Sequence, residues 1–167
     1  MPASTPPSPD EQRDWRAASV RELIEHILVR YHERHRQQLP ELVRLARKVE
    51  TVHADRAECP HGLADHLQGM LGELESHMQK EEQILFPMLA HGVAPRGLPP
   101  VMMMRLEHEQ HVRALERMVE LGRGLAPPPD ACNTWRALLA GVQVLRDDLT
   151  QHIHLENDIL FEGLNAG

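Results

Sequence analysis

Residues 77–86 read HMQKEEQILF and residues 152–161 read HIHLENDILF, the same pattern shifted by 75 residues, from 77 to 152. Each copy opens with H-x-x-x-E, His77 with Glu81 and His152 with Glu156. In a helix that spacing sends both side chains from one face, about 5–6 Å apart at Cβ. Each copy also lies in an apolar stripe at helical spacing, with Leu74, Met78, Ile84 and Leu85 around the first and Leu149, Ile153 and Leu160 around the second. A second echo precedes each copy: HERH at 32–35 returns as HEQH at 108–111, shifted by 76 residues, from 32 to 108. A single H-x-x-x-E is usually a solvated pair; its repetition with the same ILF tail marks two copies of one helical hairpin.

Working outward, the remaining stripes complete four helices. Ser19 is a candidate N-cap for a helix carrying Val20, Leu23, Ile24, Ile27, Leu28 and Tyr31. Pro40 is expected to kink that helix or start a new one, and Leu42, Leu45, Val49 and Val52 continue the stripe. Turns are expected at HADRAECPHG, at GVAPRGLPP and at Pro127–Asp130. The third helix runs from about Val101 through Leu106, Leu115 and Met118 to Gly124, and the fourth carries Trp135 through Leu160. No strand alternation is present. The fold class is all-α, an up-down-up-down four-helix bundle with pseudo-twofold symmetry. Residues 1–14, rich in Pro, Ser and Thr, read as a disordered tail, and 15–167 as one domain.

Composition narrows the function. Aromatics are 3%, which disfavours base-stacking nucleic-acid modules, and the net charge of −7 gives no basic footprint for nucleic acid or anionic membrane. No apolar run reaches 18 residues and no signal-peptide core opens the sequence, so the expected location is cytoplasmic. Two cysteines, Cys59 and Cys132, cannot form a disulfide scaffold. The anomaly is 12 histidines.

Residues at one height in an antiparallel hairpin are equidistant from its turn. The midpoint of His32 and His77 is 54.5, that of His108 and His152 is 130, and that of His77 and His108 is 92.5; all three fall in the expected turns. His32, His77, His108 and His152 therefore share one layer of the bundle, with Glu81 and Glu156 one turn away. Four imidazoles and two carboxylates are prohibitively costly to bury unpaired, and metal coordination offsets that cost. Nitrogen and oxygen donors without thiolate suit iron or manganese better than structural zinc. Six ligands with two carboxylates suit a pair of ions bridged by Glu81 and Glu156, two imidazoles on each, with positions left where a small diatomic can bind.

The stretches LIEHILVRYHERHRQQLPEL, KVETVHAD, HMQKEEQILFPM, LEHEQH and HIHLENDILF resemble the hemerythrin-like domain of the iron–sulfur cluster repair di-iron proteins, also called repair of iron centres proteins. The likeness covers about residues 20–161. It implies a hemerythrin-like fold and two iron ions with an oxo or hydroxo bridge, held by His32, His77, Glu81, His108, His152 and Glu156. It also implies a role in nitric oxide and oxidative stress: binding or reducing nitric oxide and helping restore iron–sulfur clusters, with iron–sulfur proteins as partners. The family often carries a further N-terminal domain with a cysteine pair where this sequence has a Pro-rich segment, which favours a stand-alone nitric oxide or iron-handling module. Oxygen-carrying hemerythrins have a fifth histidine where Val112 stands, which disfavours reversible oxygen storage.

Other residues carry weaker expectations. Glu73 and Asp148 precede ligand histidines by four and could accept the free imidazole N–H, although an exposed acid is as good a reading. Glu107 lines an access path by the family resemblance. His35 and His111 are expected beside the site or at the surface, His111 being the better candidate for an extra ligand. His53 lies 21 residues past His32, about 31 Å along a straight helix, too far to ligate. His26, His61, His66, His91 and His154 are surface or end residues. Tyr31, Met102, Met103 and Met104 are core packing. Cys59 and Cys132 fall in two turns at one end, where they could be near neighbours; inert cysteines are the expectation and a redox pair the alternative. The competing functions are a carrier or sensor of oxygen or iron without turnover, a ferroxidase or peroxide-consuming enzyme, and a purely structural bundle.

Overall fold

The computed structural model describes residue 9 and residues 12–164 of the chain, so the expected disorder of the tail falls mostly outside the described residues. Arg13 and Asp14 already hold defined contacts. Arg13 pairs with Glu22 at 3.1 Å and stacks on Trp15, and Asp14 accepts from the Arg16 N–H at the head of a 3₁₀ turn, Trp15–Ala17.

Beyond that turn lie four long helices, and no strand is present among the described residues. The first, α1, runs Val20–Ile27, passes through a π-helical turn, Leu28–His32, and continues as Glu33–Val52. The second, α2, is Leu63–Lys80, a π-helical turn Glu81–Leu85, and Phe86–Ala90. The third, α3, is Pro99–Leu121; the fourth, α4, is Asn133–His154 continued by a π-helical segment, Leu155–Leu160. Helix α1 packs on α2 and α4, and α3 closes the ring on its own side against the same two. This is the expected four-helix bundle.

Local chemistry explains the ends. Ser19 caps α1 reciprocally with Glu22: its hydroxyl accepts from the Glu22 N–H at 3.1 Å, and its own N–H donates to the Glu22 carboxylate at 2.8 Å. Glu50 of α1 accepts from the N–H groups of Gly62 and Ala64, which caps the positive end of α2 with a carboxylate. Arg56 holds Asp130 through two bonds of 3.0 Å, tying two turns together at one end of the bundle. At Gly141 the helices α1 and α4 approach so closely that a Cβ would lie 2.6 Å from the Leu42 side chain.

Pro40 does not break α1. It is exposed, and the helix continues through it, because the lost N–H bond faces solvent while Leu39, Leu42 and Val43 on the other side stay buried. Other expectations are corrected: Val52 and Leu106, placed in apolar stripes by their spacing, are exposed. Met102 and Met103 are 63% and 51% exposed, and only Met104 packs in the core; Ile84 is turned outward at 54%. The extra residue of the π-turn in α2 displaces Ile84 from the stripe that its spacing predicts.

The core comes in two parts. One cluster runs from Leu39 and Trp135 to Met78 and Ile153, on the side of the Arg56–Asp130 link; the other gathers Trp15, Leu23, Ile27, Leu85, Phe86, Leu155, Leu160 and Phe161. The buried polar residues His32, His35, His77, Glu81, His108, His111, Asp148, His152 and Glu156 belong to neither cluster.

Candidate metal centre

The polar layer contains all six residues marked by the repeats. His32, His77, Glu81, His108, His152 and Glu156 are each 0–1% exposed. Their donor atoms fall into two groups that close within 4.8 Å: His32, Glu81, His152 and Glu156 in one, and His77, Glu81, His108 and Glu156 in the other. The two carboxylates belong to both groups.

The π-turns place these atoms. The carbonyls of Glu81 and Glu156 accept from the N–H groups five residues on, Phe86 and Phe161, and that of Leu28 accepts from Glu33. Such a turn inserts one residue into the α-helical register and re-aims the side chains beyond it. As a result Phe86 lies 5.7 Å from the His32 ring and Phe161 stacks on His108 at 5.9 Å and 8°, each on an imidazole from a neighbouring helix. The repeated ILF tail therefore ends in the ring that covers one side of the layer.

Each of the four imidazoles is oriented through Nδ1. His32 donates to Glu82 at 2.6 Å, His77 to Glu107 at 2.8 Å and His108 to Asn157 at 2.7 Å, while the partner of His152 is His35 at 3.0 Å. Arg36 braces Glu82 and Lys80 braces Glu107. From His35 the chain of bonds continues through Gln38 to Asp148, which also pairs with Arg30 and Arg34. Partners of this kind fix the tautomer of a ligating imidazole and raise its basicity.

With Nδ1 protonated in this way, each Nε2 presents a lone pair inward. His77 and His108 point Nε2 at each other across 3.1 Å, and His32 Nε2 stands 3.4 Å from Glu81 Oε1, an acceptor facing an acceptor. The Nε2 atoms of His32 and His152 and both oxygens of Glu81 and Glu156 have no hydrogen-bond donor. Converging lone pairs in a dry layer are the signature of a cation site. The residues fit a pair of metal ions: nitrogen and oxygen donors, four to each group, with two carboxylates positioned to serve both.

Electrostatics agree. Burial, reinforced by neighbouring imidazoles, lowers His32 to about 2, His35 and His111 to about 3 and His108 to about 4, and lowers His77 as well. All are neutral and able to bind metal at physiological pH. Burial and then the charge of Glu156 push the Glu81 carboxyl well up. Burial works on Glu156 in the same sense, but the neighbouring His152 and Glu81 outweigh it and hold that carboxylate low.

Residues 23–164 match the hemerythrin HHE cation binding domain. The chain belongs to the hemerythrin HHE family. It is 50% identical over 153 residues to the iron-sulfur cluster repair protein YtfE of Pectobacterium atrosepticum, a match spanning 92% of this chain and 69% of that protein. It is 49% identical over 156 residues to the protein of the same name from Escherichia coli O81, spanning 93% of this chain and 71% of the other.

Within this hemerythrin domain several surrounding residues stand elsewhere than expected. Glu73 is exposed, and Glu107 takes the place expected for it beside His77. Asp148 is buried but stands three hydrogen bonds away from His152, through Gln38 and His35. His35, 0% exposed, takes the first of the two places expected for it, beside the site against His152. Tyr31 does pack in the core, and it also stacks on His152 at 5.6 Å. His53 is away from the layer, its Nε2 3.3 Å from Cys132 Sγ and its ring against Trp135. Both cysteines are free thiols, Cys59 buried and Cys132 exposed. Glu82 and Asn157 are not among the residues that the spacing singles out, although a signal exists: each directly succeeds a repeated glutamate.

Proposed function

We propose that this chain is a non-haem di-iron protein of the nitrosative and oxidative stress response that binds or reduces nitric oxide and supports iron–sulfur cluster repair by handling iron. The observation that carries this reading is the pair of four-residue donor groups sharing Glu81 and Glu156. The role in the name of the YtfE relatives supports it. Oxygen and imidazole donors without thiolate favour iron over structural zinc.

In this reading His32 and His152 hold one iron, His77 and His108 the other, and Glu81 and Glu156 span both. The proposed cofactor includes an oxo or hydroxo bridge. When bound, the iron pair supplies Lewis-acid and one-electron redox chemistry. The chain's residues do the rest. Glu82, Glu107, Asn157 and His35 keep each Nδ1 protonated and each Nε2 facing inward. Phe86 and Phe161 shield one side of the layer from water. The Glu107 side chain, 16% exposed and paired with Lys80, stands between His77 Nδ1 and solvent and holds that imidazole in place. The proposed partners are a small diatomic ligand, nitric oxide or oxygen, and iron–sulfur proteins; no helix among the described residues is long and apolar enough to cross a membrane.

Anaerobic stopped-flow mixing of the ferrous-loaded protein with nitric oxide tests the reading. The expected result is an absorption change from nitric oxide binding, with nitrous oxide formed if the protein turns over. Absence of any spectral change would overturn the nitric oxide assignment.

A further inference from the structure

The twofold repeat puts one imidazole three residues after His32 and another three residues after His108, and the bundle uses them differently. His35 is engaged with His152 Nδ1 at 3.0 Å and with Gln38 at 3.3 Å. His111, at the matching place on α3, is 6% exposed, and its Nε2 has no hydrogen-bond partner. Native proteins rarely leave a buried polar atom unpaired, because its lost hydration is not recovered. The His111 ring meets His77 edge-on, with centroids 4.8 Å apart and planes at 86°, and lies 6.4 Å from His108. It therefore borders the His77/His108 half of the layer. It does not belong to the donor group of that half, so it is a neighbour of the ligands and not one of them.

We propose that His111 Nε2 is a hydrogen-bonding site for a small exogenous ligand, a monoanion or polar diatomic, bound at the His77/His108 half of the centre. The two halves are then unequal by construction. On the His32/His152 side the extra imidazole is satisfied within the protein and offers nothing to a newcomer. On the other side its Nε2 is buried with no hydrogen-bond partner. A single unpaired nitrogen on a ring that is 6% exposed suits a compact ligand able to share one hydrogen bond. The inference rests on the di-iron reading above and names which half of that centre takes the ligand.

The test uses iron-loaded wild-type protein and the variants His111→Leu and His111→Gln, with azide as the probe. Iron content is measured first, then azide affinity by absorption titration. The expected result is unchanged iron in both variants, azide binding weakened about tenfold in His111→Leu, and at least partial recovery in His111→Gln, which restores a polar group. In metal-free protein His111→Leu is expected to raise the Tm, since it removes an unpaired buried polar atom; His111→Gln covers the case in which the leucine variant misfolds. Full iron content with azide affinity unchanged in His111→Leu would overturn this inference and leave the di-iron reading standing. Loss of iron from both variants would make His111 a ligand and overturn it in another way. Wild-type protein that takes up no iron would sink both.

Discussion

Lowering the pH of the metal-free protein from 7 to 5.5 is expected to destabilise it by at least about 3 kcal/mol. His32, His35, His108 and His111 are buried and neutral, with values lowered to about 2, 3, 4 and 3. In the unfolded chain each titrates near 6.5. The folded value lies below the unfolded one, so below about pH 6.5 the unfolded state takes up protons that the folded state refuses. Stability is thus fully present above that pH and falls as the pH drops toward 4 and below. Between pH 7 and 5.5 linkage gives about 1.2 kcal/mol per group, or about 5 kcal/mol for the four. Glu81 acts in the opposite sense, because its carboxyl is pushed up and the folded state holds its proton; it offsets at most about 2 kcal/mol over this range. His77, also lowered, adds to the loss. The remainder is a large share of the 5–15 kcal/mol typical of a domain. Urea unfolding followed by circular dichroism at the two pH values measures it. A midpoint that stays level or rises on acidification would refute the picture of a neutral imidazole layer.

The same geometry sets the outcome of other perturbations. Acidifying the metal-loaded protein is expected to release the metal, because protonated imidazole cannot ligate; retention of the full load well below pH 5 would contradict the ligand set. His35→Ala removes the partner that orients His152 and is expected to weaken metal binding about 10- to 100-fold in a competition titration while leaving helix content unchanged. Trp135→Ala empties a buried position in the cluster remote from the metal layer and is expected to cost about 3–5 kcal/mol in denaturant unfolding without altering metal content.

The bundle and its buried polar layer were legible in the sequence because both rest on periodicity. Apolar spacing fixes which face of each helix is buried, and equal distances from the turns fix height, so the six converging residues could be named without coordinates. The three π-turns were not legible: a single inserted residue shifts the register without leaving a break in composition, which is why the spacing of Ile84 points to the core while the residue itself is exposed. The hydrogen-bond partners were legible only in part. Glu73 and Asp148 sit one helical turn from His77 and His152 on the same helices, yet the imidazoles reach across to neighbouring helices, to Glu82, Glu107, Asn157 and His35, and such contacts depend on rotation about helix axes that a linear spacing does not report. Pro40 misleads for the opposite reason: a local rule yields to burial of the opposite helix face.

Metal stoichiometry tests the central claim most directly. Protein produced with ample iron is expected to carry about two irons per chain by elemental analysis, one for each donor group, and Glu156→Ala is expected to lower both, since that carboxylate serves both groups. A wild-type content well below two, or an undiminished content in Glu156→Ala, would contradict a shared two-ion centre.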